Sequence, residues 1–148
     1  MINVVCPSCG VLSPSSLTAS KSKQSVGCKK CKAIFTAELV RIRAKRSRGH
    51  RDLTSHRNFD VRVIDGSGSE RLIQFVNHSW EDFELRAKDQ VVFVYLGHEL
   101  RVVQNLTIGV HFTINRGNEL MAWIIGIIVA VIVVIVIAIN AATSGHHR

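Results

Sequence analysis

The spacing of apolar residues changes character several times along the chain. Over residues 58–114, short runs rich in Val, Ile and Phe alternate with polar positions and are broken by Gly, Asp and Asn about every ten residues. That period of two predicts strands at 59–65, 71–76, 82–86, 90–95, 100–104 and 110–114. Gly66-Ser67-Gly68 and Leu96-Gly97-His98 are the expected hairpin turns, because glycine adopts positive φ without steric cost. A small antiparallel β-barrel over 58–118 follows from this reading.

Periodicity disappears at 120–139, a run of 20 residues with no charge and no proline, thirteen of them Ile or Val. Wound as a helix it would span roughly 30 Å, and its Ile and Val residues would favour insertion by about 5 kcal/mol. Trp123 falls where an interfacial aromatic belongs. The sequence therefore predicts a C-terminal transmembrane helix at 119–140 with a short tail at 141–148, a single-pass, tail-anchored arrangement whose partner is the lipid bilayer. Ala122, Gly126 and Ala130 are spaced by four and would put small residues on one stripe, open to helix–helix packing.

The N-terminal third has the opposite problem, too few apolar residues. Val4, Leu12, Leu17, Val26, Ile34 and Phe35 cannot fill a core for residues 1–40. Residues 41–57 carry seven Lys/Arg, with Ile42 and Leu53 as the large aliphatics, and read as a flexible basic linker. A module this small needs a staple, and all four cysteines lie in the first 31 residues.

They form two knuckles, Cys6-Pro7-Ser8-Cys9-Gly10 and Cys28-Lys29-Lys30-Cys31, in the pattern Cys-x2-Cys-x18-Cys-x2-Cys. Two residues between paired cysteines let both sulfurs turn toward one ion, and four thiolates suit tetrahedral Zn²⁺. Gly10 and Gly27 flank the knuckles where the chain must turn sharply. A redox dithiol would call for a knuckle at the start of a helix in a βαβ unit, a context missing here. A rubredoxin-like iron site uses the same spacing, so zinc and iron are not separated by it. With Val5 before the first knuckle and Phe35 after the second, this stretch of about 35 residues resembles the short zinc ribbons at the N-termini of many bacterial proteins, some of them membrane-anchored. The resemblance implies the ribbon fold and four cysteine ligands for one structural zinc, and little about function.

Charge sharpens the division. Residues 1–57 hold 12 Lys/Arg against Glu38 and Asp52, a net of +10, whereas 58–118 hold 6 against 8 acids, a net of −2. Such asymmetry points to an anionic partner, nucleic acid or anionic lipid. The candidate contacts are Lys29, Lys30, Lys32, Arg41, Arg43, Lys45, Arg46, Arg48 and Arg51. No secretory signal opens the sequence, so the N-terminal modules are expected at the cytoplasmic face of the inner membrane, where thiols stay reduced.

The strand-rich segment, from Phe59-Asp60-Val61-Arg62-Val63 through Val91-Val92-Phe93-Val94-Tyr95 and Leu100-Arg101-Val102-Val103-Gln104-Asn105-Leu106-Thr107, resembles an oligonucleotide/oligosaccharide-binding barrel. Its net acidity and its aromatics at alternating, core-like positions depart from the strand-binding pattern and imply a structural or protein-interaction barrel. His50, His56, His78, His98 and His111 are scattered, and neither a Gly-x-Ser-x-Gly elbow nor a phosphate-binding Gly-x4-Gly-Lys loop occurs. The expected function is therefore a non-catalytic, membrane-anchored zinc-binding adaptor that binds a protein partner or a second copy of itself and takes no small-molecule substrate. A membrane-tethered nucleic-acid-binding module and an accessory subunit of a larger membrane complex are the alternatives.

Overall fold

The computed structural model describes residues 1–50, 56–79, 81–114 and 127–133. The chain forms two compact units, Met1–Asn115 and Arg116–Arg148. Among the described residues the first contains nine strands in chain order: β1 (Ile2–Val5), β2 (Leu12–Ser15), β3 (Lys23–Gly27), β4 (Ile34–His50), β5 (His56–Ile64), β6 (Glu70–Asn77), β7 (Gln90–Leu96), β8 (Glu99–Asn105) and β9 (Val110–Thr113). β1 and β2 make a small hairpin, and the rest form one antiparallel sheet in the order β6-β5-β4-β7-β8-β9, with β3 also on β4.

β4 organises this unit. Its first half pairs with β3 on one edge and β7 on the other, both meeting Thr36, Ala37 and Glu38. From Arg41 onward β5 takes over the β3 edge, with a bulge between Ile42 and Ala44 that makes Arg43 the extra residue. The sheet is an open path from β6 to β9, and no pairing among the described residues closes it. The expected barrel, with its likeness to the oligonucleotide/oligosaccharide-binding fold, is corrected accordingly.

The expected linker is corrected with it. Arg41–His50 is paired strand, and residues 51–55 lie outside the described residues. A composition rich in Arg, Ser and Gly concealed an alternation in which Ile42, Lys45 and Ser47 face inward and the arginines face out. Lys45 occupies an inward position because its long stem can lie along the core while its ammonium reaches the rim. The ammonium donates to Asp82 Oδ1 at 2.9 Å and to the Phe83 carbonyl at 2.5 Å, 6.0 Å from the Phe59 ring centroid.

Apolar residues collect on both faces of the sheet, which explains why β7 reads as an almost unbroken apolar run. On one face Val91 and Phe93 join Val40, Ile42, Phe59, Val61, Val63 and Val103. Residues 82–86, expected as a strand, instead lie over this face: Phe83 stacks between Phe59 at 4.8 Å and Phe112 at 4.7 Å between centroids, and Leu85 is buried beside it. On the opposite face Val92, Val94 and Val102 pack against Val4, Val5, Leu17, Val26 and Phe35. The N-terminal module thus borrows its core from the sheet it covers.

In the second unit, the described part of the long apolar run is a seven-residue helix, α1 (127–133), which rises about 10 Å. No helix among the described residues is long and apolar enough to cross a membrane, and this corrects the expected transmembrane helix. That expectation rested on hydropathy in a stretch dominated by β-branched residues, which have low helix propensity and supply no period to mark helix limits. The remainder of the run, with Trp123, Ala122 and Gly126, lies outside the described residues. Ala130 lies within α1 and is exposed, as are its Ile and Val neighbours.

Candidate metal centre

The two cysteine knuckles share one backbone design. In the first, the Cys6 N–H donates to the Val11 carbonyl at 3.0 Å and the Gly10 N–H returns to the Cys6 carbonyl at 2.9 Å. In the second, the Cys28 N–H donates to the Ala33 carbonyl at 2.9 Å and the Lys32 N–H to the Cys28 carbonyl at 3.0 Å. Each loop needs one left-handed residue directly after its second cysteine: Gly10 at φ 73° and Lys32 at φ 63°. Gly27, expected to serve the second knuckle, ends β3 with an ordinary φ, and a lysine takes the glycine-like position.

β1 delivers Cys6 and β3 delivers Cys28, so the hairpin and the edge of the large sheet jointly bring the knuckles together. The four Sγ atoms lie within 4.8 Å of one another, with Cys6 to Cys31 at 3.6 Å and Cys9 to Cys28 at 3.5 Å. A tetrahedral ion with metal–sulfur bonds of about 2.3 Å requires sulfurs about 3.8 Å apart. All four cysteines are free thiols and can coordinate a single metal ion. Cys6 and Cys28 are buried, Cys9 is half-buried and Cys31 is exposed.

Local electrostatics favour thiolate at Cys28, whose pKa is lowered to about 6, first by the Cys31 backbone N–H and then by that of Lys30, against the opposing effect of burial. Cys9 is raised: the Val11 N–H favours its thiolate, but burial and the neighbouring sulfurs of Cys28 and Cys31 outweigh it. Crowded sulfurs that cannot all ionise without a cation between them are what a metal site looks like before charge neutralisation.

The site is fixed to the sheet by Gln104 of β8. Its Oε1 accepts from the Val5 N–H at 3.2 Å, and its Nε2 donates to the Asn3 carbonyl at 2.9 Å. One side chain therefore imitates a strand partner for β1, directly beside Cys6. A second contact lies at the far edge, where Gly66 in the β5–β6 turn abuts the Ala19 carbonyl so closely that an added Cβ would lie 1.8 Å from that oxygen.

The candidate basic contacts separate into three groups. Lys29, Lys30 and Lys32 are exposed on the second knuckle. Arg41, Arg43, Arg46 and Arg48 are exposed along β4, roughly 25–50 Å of strand from its knuckle end. Lys45 is committed to Asp82, and Arg51 lies outside the described residues. Among the histidines, the strands bring His56 and His78 together with centroids 6.3 Å apart, which the sequence reading missed; cross-strand register is the signal that would have found it. Among the described residues, the cysteines are the one set of three or more potential metal ligands whose ligand atoms meet.

No protein-family model, curated protein or solved structure matches this chain.

Proposed function

We propose that the protein is a non-catalytic interaction module whose ribbon is held by one structural zinc ion. The observation that carries this reading is the closed donor set: four sulfurs within 4.8 Å of one another, on two knuckles of the same geometry, leave no coordination position for water or substrate. Zinc is favoured over iron because it needs no redox partner and supplies folding energy outright, on the order of 10 kcal/mol for small thiolate sites. The thiols must remain reduced to bind it, which suits the cytoplasm. The product of the fold is a rigid surface formed by the ribbon and the sheet it covers, and its role is to bind another macromolecule.

Elemental analysis of the purified full-length chain tests the reading. One zinc per chain, lost from a Cys28→Ser/Cys31→Ser variant, is expected. Metal-free thiols that cycle to disulfides, or iron with thiolate-to-metal absorption in the visible, would overturn it.

A further inference from the structure

The ribbon-side face of β4 changes composition where the ribbon ends. Phe35, Ala37 and Leu39 lie beneath the ribbon. Beyond them the same face continues as Arg41, the bulge residue Arg43, Ala44, Arg46 and Arg48, all exposed. Arg62 of β5 pairs with Ala44 and adds a fifth exposed guanidinium beside the row. At about 3.3 Å per residue the row extends for roughly 20 Å.

Several cations elsewhere in the unit are matched, Lys45 and Arg57 with Asp82, Arg71 with Glu38, Arg86 with Glu84 and Arg101 with Glu99, while the ribbon lysines and Lys88 make no ion pair among the described residues. Along the row, Arg41, Arg43, Arg46 and Arg48 make no ion pair among the described residues, and Arg62 reaches Glu70 only at 3.9 Å. The carboxylate of Asp60, opposite Arg46, is held by Gln74 Nε2 at 2.8 Å. A line of like charges this dense opposes folding by self-repulsion, and a linear polyanion would relieve it.

We propose that this row is a track for the phosphodiester backbone of single-stranded nucleic acid. The inference rests on the interaction-module reading and supplies its partner. Guanidinium groups pair with phosphate oxygens through two parallel hydrogen bonds, so arginine rather than lysine suits the task. Between Arg46 and Arg62 lies a depression of about 500 Å³ lined by Ala44, Asp60 and Leu72. It has room for an unstacked base, which a duplex does not offer, and Asp60 can accept from the amino group of one. The exposed part of this face carries no Phe, Tyr or Trp among the described residues, so phosphate contacts dominate and sequence preference is weak.

The test is fluorescence anisotropy of a labelled 20-nucleotide mixed-sequence DNA with zinc-loaded full-length protein over a salt series. Five phosphate contacts predict a slope of log K against log salt of about −3.5. An Arg46→Glu/Arg48→Glu variant is expected to bind at least tenfold more weakly with a slope near −2, while Lys29→Glu/Lys30→Glu on the ribbon changes affinity less than about twofold. Unchanged zinc content and far-UV circular dichroism in both variants separate this result from a failure of the metal site. Wild-type affinity in the Arg46/Arg48 variant, or competition by duplex DNA, polyglutamate or phosphatidylserine vesicles equal to that by the single strand, would overturn the proposal.

Discussion

Asn105 ends β8 and is fully buried, and the consequence of removing it can be worked from its four hydrogen bonds. Its Nδ2 donates to Asp89 Oδ2 at 2.7 Å and to the Glu84 carbonyl at 3.1 Å. Its Oδ1 accepts from the N–H groups of Thr107 at 3.0 Å and Ile108 at 3.4 Å. These bonds join the segment carrying Phe83 and Leu85 to the turn between β8 and β9. In Asn105→Ala the Asp89 carboxylate, 5% exposed, keeps the Arg86 N–H at 2.9 Å but loses its amide donor. A bond to a charged group contributes about 1.5–3 kcal/mol and each neutral one about 1 kcal/mol; because such bonds are not additive, the expected loss is about 3–5 kcal/mol. For a folded unit of this size that lowers the melting temperature by on the order of 10–20 °C. Asn105→Asp keeps the shape but sets a second carboxylate against Asp89, and two carboxylates at that distance cannot both ionise. One therefore has a folded-state pKa raised above its unfolded value, so stability is lost as pH rises toward that raised value. Urea titrations of both variants and wild type at pH 5.5 and pH 8 make the comparison. The Asp variant should lie closer to wild type at pH 5.5; a cost below about 1 kcal/mol for Ala, or a pH-independent deficit for Asp, would refute the network.

Other contacts yield sharper local outcomes. Gln104→Ala removes both bonds that hold β1 and should cost about 1–2 kcal/mol while speeding zinc transfer to a chelator; unchanged transfer would mean that the ribbon docks by its apolar face alone. Gly66→Ala drives a Cβ into the Ala19 carbonyl and should cost about 2 kcal/mol or more, whereas Gly27→Ala, with nothing within 4 Å, should cost under about 1 kcal/mol; denaturant midpoints of the two decide it. Tyr95, the single tyrosine, is pushed up to about 12, by burial first and by the Glu38 carboxylate second. Its stabilising contribution is present below pH 10 and falls as pH rises from 10 to 12, so absorbance at 295 nm should show a folded-state midpoint near 12; a midpoint at 10 would place the ring in water.

The metal site was legible because its information is local. Two Cys-x2-Cys knuckles state their own geometry, and the small apolar content of residues 1–40 states the need for a staple. What the spacing did not carry was the substitution of Lys32 for a glycine in the second knuckle, since a left-handed φ leaves no mark in composition. Most of the strands were legible for the same reason, an alternation readable over five to eight residues. Residues 82–86 show where that signal fails: Phe83 and Leu85 alternate as in a strand, yet they plug the core while the backbone of Glu84 serves Asn105.

β4 shows most clearly why a charged composition is a poor guide to order. A run of arginines, serine and glycine is flexible when nothing pairs with its backbone, and the same run is a strand when a neighbour satisfies every second N–H and carbonyl. Here β5 is that neighbour, pairing from Arg41↔Ile64 to His50↔His56, and its apolar alternation in Phe59, Val61 and Val63 contributes the buried face. From Arg41 onward β4 adds Ile42, the stem of Lys45 and Ser47 to that face, which frees the other face to be almost wholly cationic. The bulge at Arg43 keeps this arrangement in register: if the same residues ran as a regular pleat with Arg43 paired, the one-residue shift would turn Lys45 outward and set Arg46 into the Phe59 core. Deleting Arg43 lets Ala44 follow Ile42 in regular pairing with Lys45 still inward, so by denaturant midpoint it should cost little more than Arg43→Ala, which keeps the bulge and removes only a charge. A deletion far less stable than the substitution would show that the inward set of β4 does not follow this register.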